Sequence, residues 1–232
     1  GKKASADGSV MCTYNCDGFG YAASLSFQAP GIHPSDEVLN IRGWGPQRGQ
    51  RIIAQVPYTF GVVALMNDHQ VCIVETTWDG RKELRNPDGY FDYFTLMNIT
   101  LQRATTAREA IQIIHNLVQE YGYNSTGESF AVCDKNEAWI MEISFREAYQ
   151  PMDFGKIRYC EARVWSFFRH HYNTEEIDAY LPFINGKTEV CNHLPLWIKP
   201  NKPVSVRDLM NDMRDHYEGT ALDMTADISA GP

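Results

Sequence analysis

Four acidic residues lie in or beside apolar, strand-like runs and are the first candidates for chemistry: Asp17, Glu75, Glu128 and Glu142. A buried carboxylate is costly unless it is ion-paired or hydrogen-bonded, and perturbed carboxylates gather at functional sites. Each of the four is therefore either functional or tied to a structural partner. For a carboxylate taken singly, the structural role is the more common one.

The soft metal ligands do not form a recognisable metal site. Cys12-x-x-x-Cys16 and Cys191-x-His193 lack the paired Cys-x-x-Cys spacing of structural zinc sites. The adjacent pair His170-His171 would point about 100° apart on a helix, so the two rings cannot hold one ion together. We therefore expect no metal ion and no cofactor.

The six cysteines are irregularly spaced: Cys12, Cys16, Cys72, Cys133, Cys160 and Cys191. No local signature marks any of them as a nucleophile paired with a histidine. We interpret most of them as small buried apolar residues, and the spacing leaves a disulfide between any two of them open.

Composition and charge exclude several classes of protein. The chain has 232 residues, 44% of them hydrophobic and 22% charged, which is typical of a globular domain. A net charge of −8 without a basic cluster argues against a nucleic-acid partner. No apolar run reaches the roughly 18 residues of a membrane span, and Gly1–Gly8 lacks the regions of a signal peptide.

The first 140 or so residues predict antiparallel strands and one clear helix. Runs 58–65 and 70–77 flank Asn67-Asp68 as a hairpin. A second hairpin joins 129–132 to 138–143 through the turn at residues 134–136. Because parts of these strands are apolar at nearly every position, we expect the sheet to be covered on both faces.

The helix is predicted over about 107–121, with Thr106 and Glu109 as a capping box and Gly122 at its end. Further helices are expected over about 160–171 and 206–217. Strands between helical layers indicate an α+β layered architecture. Residues 1–143 would form the strand-rich core, and 144–232 a mainly helical continuation of the same unit.

Several blocks, in order along the chain, resemble one family. They are GKKASADGSVMCTYNCDGFG, Glu75–Trp78, TLQRATTAREAI, Gly127–Phe130 with DKNEAWIMEI, CEARVWSFFR and DMRDHYEGT. These blocks are similar to the dipeptidase A-type cysteine peptidases, which are N-terminal-nucleophile (Ntn) hydrolases related to penicillin V acylase and bile salt hydrolase. The resemblance implies an αββα four-layer sandwich and hydrolysis of dipeptides.

In that family the nucleophile is a cysteine at the mature N-terminus, which the resemblance puts several residues upstream of Gly1. Superfamily relatives carry an Arg-Asn-x-Asp block whose positions match Tyr14, Asn15, Cys16 and Asp17 here. The resemblance implies that Asp17 holds the terminal amine, which acts as the base. Tyr14 replaces an arginine that helps to stabilise the thiolate, although its phenol can still donate a hydrogen bond.

Thr76 and Thr77 match the strand that helps to build the oxyanion hole in acylase relatives. After Ile143, the family pattern continues with an asparagine-bearing segment, whereas this chain continues with a block, Ser144–Tyr149, that resembles a later one. We therefore expect that three segments of the family are absent from this sequence. They would lie before Gly1, between Ile143 and Ser144, and after Pro232.

The resemblance thus implies a cysteine-type dipeptidase that needs no cofactor and acts on small peptide substrates. It is compatible with a homo-oligomer. The alternatives are an acylase-type amidohydrolase of non-peptide amides, an inactive binding protein of the same fold, and an autoprocessed precursor. A periplasmic or secreted location is expected, with the cytoplasm as the alternative.

Overall fold

The computed structural model describes residues 1–14, 25–42, 50–78, 86–143, 170–171, 199–219, 223 and 225. The chain divides into two compact units, residues 9–150 with Gly1, and residues 2–8 with 151–232. The described strands are β1 Phe27–Gln28, β2 Gly31–Ile32, β3 Val38–Asn40, β4 Ile52–Ala54, β5 Tyr58–Thr59, β6 Val62–Val63, β7 Met66–Asn67, β8 Cys72–Trp78, β9 Gly127–Cys133 and β10 Ala138–Ile143. The described helices are α1 Tyr93–Leu101, α2 Ala107–Tyr121 and α3 Val206–Asp212. The predicted α+β class is confirmed.

The main sheet of the first unit is antiparallel and has the order β1-β6-β7-β8-β9-β10. Its three long strands, β8 to β10, are paired over most of their length, with Cys72 opposite Cys133 and Thr77 opposite Glu128. Because side chains alternate between the faces of a strand, this register decides which residues of β8 and β9 can meet. The second predicted hairpin is confirmed, with a first strand longer than expected.

Helices α1 and α2 pack against each other and against β8, β9 and β10. The face of the sheet that carries Ile73, Phe130 and Val132 joins the helices in one buried cluster. Helix α2 has the predicted bounds, with Thr106 accepting a hydrogen bond from the Glu109 N–H and Gly122 ending the helix at φ 77°. The Glu109 carboxylate accepts from the backbone of Thr105, one residue before the cap, so the predicted capping box is only half formed.

The first predicted hairpin is wrong in its first strand. Residues 58–65 form two short strands in different sheets, since β5 pairs with β2 while β6 pairs with β1 and β7. Gly61 lies between them, and its N–H donates to the Asp68 carboxylate rather than to a ladder partner. Local β propensity could not reveal this exchange of partners, because it depends on strands distant in sequence.

Two other predictions also need correction. Ile140 on β10 remains 66% exposed, so this strand is not covered on both faces. Helix α3 ends at Asp212, five residues before the predicted end, although Ser205 and Asp208 form the expected capping box.

Helix α1 was not predicted; Asp92 caps it by accepting from the Thr95 N–H. Of the helix predicted over 160–171, only His170 and His171 lie within the described residues, and both are helical.

Asp134 ties the β9–β10 turn to the start of α2. Its carboxylate is buried and accepts from the backbone N–H groups of Ala107, Asn136 and Glu137 at 2.8, 2.7 and 3.0 Å. Although burial works in the opposite direction, these three donors lower the pKa of Asp134. The carboxylate therefore stabilises the fold above its unfolded-state pKa, and this stabilisation is lost as the pH falls through the lower folded-state value.

Replacing Asp134 by alanine is expected to lower the free energy of unfolding by about 2 kcal/mol at pH 7, because one buried and two partly buried hydrogen bonds lose a charged acceptor. Urea unfolding followed by circular dichroism measures the loss. Asp88→Ala is the matched control, since Asp88 is exposed and its removal should cost less than about 0.5 kcal/mol. Equal losses in the two variants would contradict the role given to Asp134.

Candidate active site

Two buried carboxyl groups meet at one end of β8 and β9. Glu75 is 9% exposed and Glu128 is fully buried. Glu75 and Thr77 share one face of β8, and Thr77 lies directly opposite Glu128 on β9. The Thr77 hydroxyl lies 3.2 Å from Glu75 Oε2 and 3.0 Å from Glu128 Oε2. One hydroxyl can donate only one hydrogen bond at a time, so Thr77 cannot donate to both carboxylates at once.

Tyr123 is a further buried member of this cluster. Its buried hydroxyl donates to Glu128 Oε2 at 3.3 Å. Tyr123 lies in the short connection after α2, and that connection is bonded to the segment before α1 through Phe91 and Asn124. A Cβ atom on Gly89 would lie 2.6 Å from the backbone of Tyr123, so only glycine permits this close approach. The backbone therefore fixes the position of the phenol.

The cluster holds a proton near neutral pH. Burial, together with the hydrogen bond and negative charge of Glu75, raises the pKa of Glu128 to about 8. If both groups were ionised, the buried Oε1 of Glu128 would have no hydrogen-bond donor. A protonated Glu128 can instead donate to Glu75, which gives both carboxyl groups a partner. Like-charged carboxyl groups in one buried site commonly share a proton in this way.

Tyr14 reaches the cluster from the N-terminal segment, 61 residues away from Glu75 along the chain. Its hydroxyl donates a short hydrogen bond to Glu75 Oε1. The residue that the resemblance matches to the arginine of superfamily relatives therefore contacts a carboxylate on β8. This contact ties the start of the Tyr14–Asp17 block to the sheet.

The structure brings together some of the predicted site residues. Tyr14 and Thr77 both contact Glu75, whereas Thr76 is the next residue along β8 and points to the opposite face. Asn15 and Asp17 lie outside the described residues. The roles of all five as site residues stay predictions.

The sequence pattern identified only some of the other residues of the cluster. The sequence singled out Glu75 and Glu128 as carboxylates in apolar runs, and the cluster explains both. Nothing in the sequence indicated that Tyr123 would join them, because its position depends on a contact between two loops. Glu142 is different: it is exposed on β10, and its contact with Ser129 is long, at 3.5 Å.

The second unit contains a separate pair of histidines. His171 is buried and its Nε2 lies 2.7 Å from Asp212 Oδ2, while His170 Nδ1 lies 3.3 Å from Oδ1 of the same carboxylate. The two rings therefore share a carboxylate on α3. Across the described residues, no group of three or more His, Cys, Asp or Glu side chains is arranged to hold a metal ion.

The chain belongs to a class of hydrolases that cleave peptide bonds. The pattern of peptidase family C69 matches residues 46–144 and 143–231, which together are most of the chain. The protein is therefore a member of peptidase family C69, the family of the dipeptidase A-type cysteine peptidases. None of the helices in the described part of the chain is both long and apolar enough to cross a membrane.

Proposed function

We propose that this protein is a dipeptidase that cleaves its substrate with a cysteine nucleophile located upstream of Gly1. The α-amine of that cysteine accepts the thiol proton, since its reference pKa of about 7.7–8.0 suits a base near neutral pH. The thiolate attacks the peptide carbonyl, the amine of the second residue leaves, and water releases the acyl group. The strand that carries Thr76 and Thr77 contributes to the oxyanion hole, and Asn15 lines the site.

The match to peptidase family C69 carries this proposal. Its two matched segments meet at residues 143–144, where the resemblance also implies a missing family segment. The described sheet, with two helices packed against it, is compatible with one half of an Ntn αββα sandwich. The proposal includes the second half of that sandwich, a periplasmic or secreted location with the cytoplasm as the alternative, and a monomer or homo-oligomer that acts on small peptides.

The carboxyl cluster suggests how Tyr14 serves this chemistry. An arginine at this position would supply a positive charge to the thiolate, whereas Tyr14 supplies a hydrogen-bond donor to Glu75. We assign Tyr14 a positioning role: it anchors the segment that leads to Asp17. Asp17 then holds the terminal amine, as the resemblance implies.

The decisive experiment assays the purified full-length gene product against a panel of dipeptides and against acyl amides such as bile salt conjugates. We expect hydrolysis of dipeptides and its loss when the upstream cysteine is replaced by serine. Hydrolysis of the acyl amides alone would favour the acylase alternative. A product without an N-terminal cysteine and without activity would favour a binding protein, and a cysteine exposed only after cleavage would favour a precursor.

Tyr14→Phe is expected to lower kcat/KM for a dipeptide by about 10-fold, because losing one hydrogen bond to a carboxylate costs about 1.4 kcal/mol of positioning. Tyr58→Phe is the matched control, since Tyr58 is 47% exposed, and it should leave kcat/KM unchanged. Steady-state kinetics with unfolding curves for both variants separate the catalytic effect from a stability effect. An unchanged kcat/KM in Tyr14→Phe would remove the positioning role.

A further inference from the structure

Arg51 is a buried cation that has no acidic partner among the described residues. It lies directly before β4 and is only 5% exposed. Its guanidinium donates to two backbone carbonyls, from Nη1 to Tyr90 and from Nη2 to Pro87, both at 3.4 Å. In the part of the chain that the structure describes, no Asp or Glu forms an ion pair with it. Both distances exceed the usual range of about 2.7–3.2 Å, so the carbonyls offset the charge only weakly.

The free donors of Arg51 suit a carboxylate. A buried positive charge is costly unless an anion or good hydrogen-bond acceptors offset it. A guanidinium carries N–H donors on all its nitrogens in a flat fork, and the two carbonyls occupy only part of them. The Nε–H and one N–H of each terminal nitrogen have no acceptor among the described residues. Because such a fork binds the two oxygens of a carboxylate together, Arg51 is suited to an anion from outside the chain.

The loop that Arg51 contacts also borders the carboxyl cluster. Gly89 lies between the two carbonyl partners of Arg51 and packs against the backbone of Tyr123, where a Cβ atom on the glycine would be only 2.6 Å away. The Tyr123 hydroxyl in turn donates to Glu128. One short loop therefore contacts both the guanidinium and the residue that carries the phenol of the cluster. The cation belongs to the same part of the first unit as the candidate active site.

We propose that Arg51 binds the C-terminal carboxylate of the dipeptide substrate. This inference rests on the proposed function, since a dipeptide carries a free carboxylate one residue beyond the bond that is cleaved. The carboxylate accepts two hydrogen bonds from the guanidinium and supplies the missing negative charge. Arg51 is then a specificity-determining residue. Longer peptides put the carboxylate farther from the scissile bond and amidated ones lack it, so both leave the buried donors unpaired.

The test compares a dipeptide with the same dipeptide bearing a C-terminal amide, using the full-length protein. We expect kcat/KM of the wild type to be about 100-fold lower for the amide, because the amide forfeits hydrogen bonds between two charged groups. Arg51→Gln should lower kcat/KM for the dipeptide by a similar factor and leave that for the amide almost unchanged, so that the preference disappears. A wild type that hydrolyses both substrates equally well, or an Arg51→Gln enzyme that keeps the preference, would overturn the role of Arg51.

Two further variants make the assignment sharper. Arg103→Gln is the matched control, because Arg103 also donates to a backbone carbonyl, that of Ala54 at 3.3 Å, but is less deeply buried. It should keep the preference for the dipeptide. Arg51→Lys retains the charge without the fork, so it should fold even if Arg51→Gln does not, and it should lose most of the preference. A folded Arg51→Lys enzyme with the full preference would mean that Arg51 only ties its loop to β4.

A binding measurement separates this inference from the proposed function. In full-length protein whose upstream cysteine is replaced by alanine, isothermal titration calorimetry measures the affinity for the uncleaved dipeptide and for its amide. Tighter binding of the dipeptide that disappears in the Arg51→Gln background supports the site, even for a protein that hydrolyses no dipeptide. Equal binding of the two compounds by a protein that does hydrolyse dipeptides would leave the proposed function standing and overturn the role of Arg51.

Discussion

Asp17→Asn is expected to lower kcat for dipeptide hydrolysis by a factor of about 10² to 10⁴, the usual range for loss of acid–base function. In the proposed mechanism the terminal amine must face the thiol and take its proton, and the Asp17 carboxylate holds it in that orientation. An asparagine keeps the size of the side chain and one acceptor oxygen, but it removes the negative charge that stabilises the protonated amine. The pH optimum should therefore shift as well as the rate.

Asp36→Asn is the matched control for this variant, because Asp36 is exposed in the turn between β2 and β3. It should keep kcat within experimental error. Unfolding curves for both variants establish that a lower rate does not come from a smaller folded fraction. An Asp17→Asn enzyme with full kcat and an unchanged pH profile would mean that another group holds the amine.

Glu128→Ala is expected to lower the free energy of unfolding by about 3 kcal/mol, the largest stability loss we predict. The variant leaves a cavity in a fully buried site and deprives Thr77 and Tyr123 of a shared acceptor. Glu128→Gln should cost much less near neutral pH. Its amide can donate to Glu75 as the protonated carboxyl does, while its oxygen accepts from the two hydroxyls.

The pH dependence of the free energy of unfolding tests whether Glu128 holds the proton of the cluster. The pKa of Glu128 is raised in the folded protein, from an ordinary value of 4.5 to about 8. A raised pKa means that the folded state binds the proton more tightly, so this stabilisation is complete below pH 4.5 and is lost as the pH rises through 8. We expect the wild-type protein to lose stability over this window, with a slope of at most about 1.4 kcal/mol per pH unit.

Glu128→Gln should remove the Glu128 contribution and flatten the profile between pH 5 and 8, as measured by urea unfolding at a series of pH values. Glu142→Gln, on the exposed side of β10, is the control and should follow the wild-type curve. If Glu128→Gln kept the wild-type slope, the proton held by the cluster would belong to another group.

The sequence predicted best those helices and hairpins whose ends are determined by residues that are close together along the chain. Helix α2 begins after Thr106 and ends at Gly122 because a hydroxyl cap and a glycine with positive φ are local requirements. The β9–β10 hairpin follows from two apolar runs and the short turn at Asp134. By contrast, residues 58–65 split between two sheets because their partners, β1 and β2, lie far away in sequence.

The candidate site shows the same division. The sequence by itself determined the family, through blocks spread along the chain, and it singled out Glu75 and Glu128 as carboxylates in apolar strands. It could not show that they share one site, because this depends on the register of β8 and β9. Nor could it bring Tyr14 and Tyr123 to them, since those contacts connect separate segments.

The cysteines illustrate the same limit. Their irregular spacing predicted small buried apolar residues, and of the three that the structure describes Cys133 is buried, whereas Cys12 and Cys72 are only partly buried. Residue types determine which chemistry a chain can perform, and local patterns determine its helices and hairpins. Only the tertiary structure decides which titratable groups become neighbours, and burial together with those neighbours sets their pKa values.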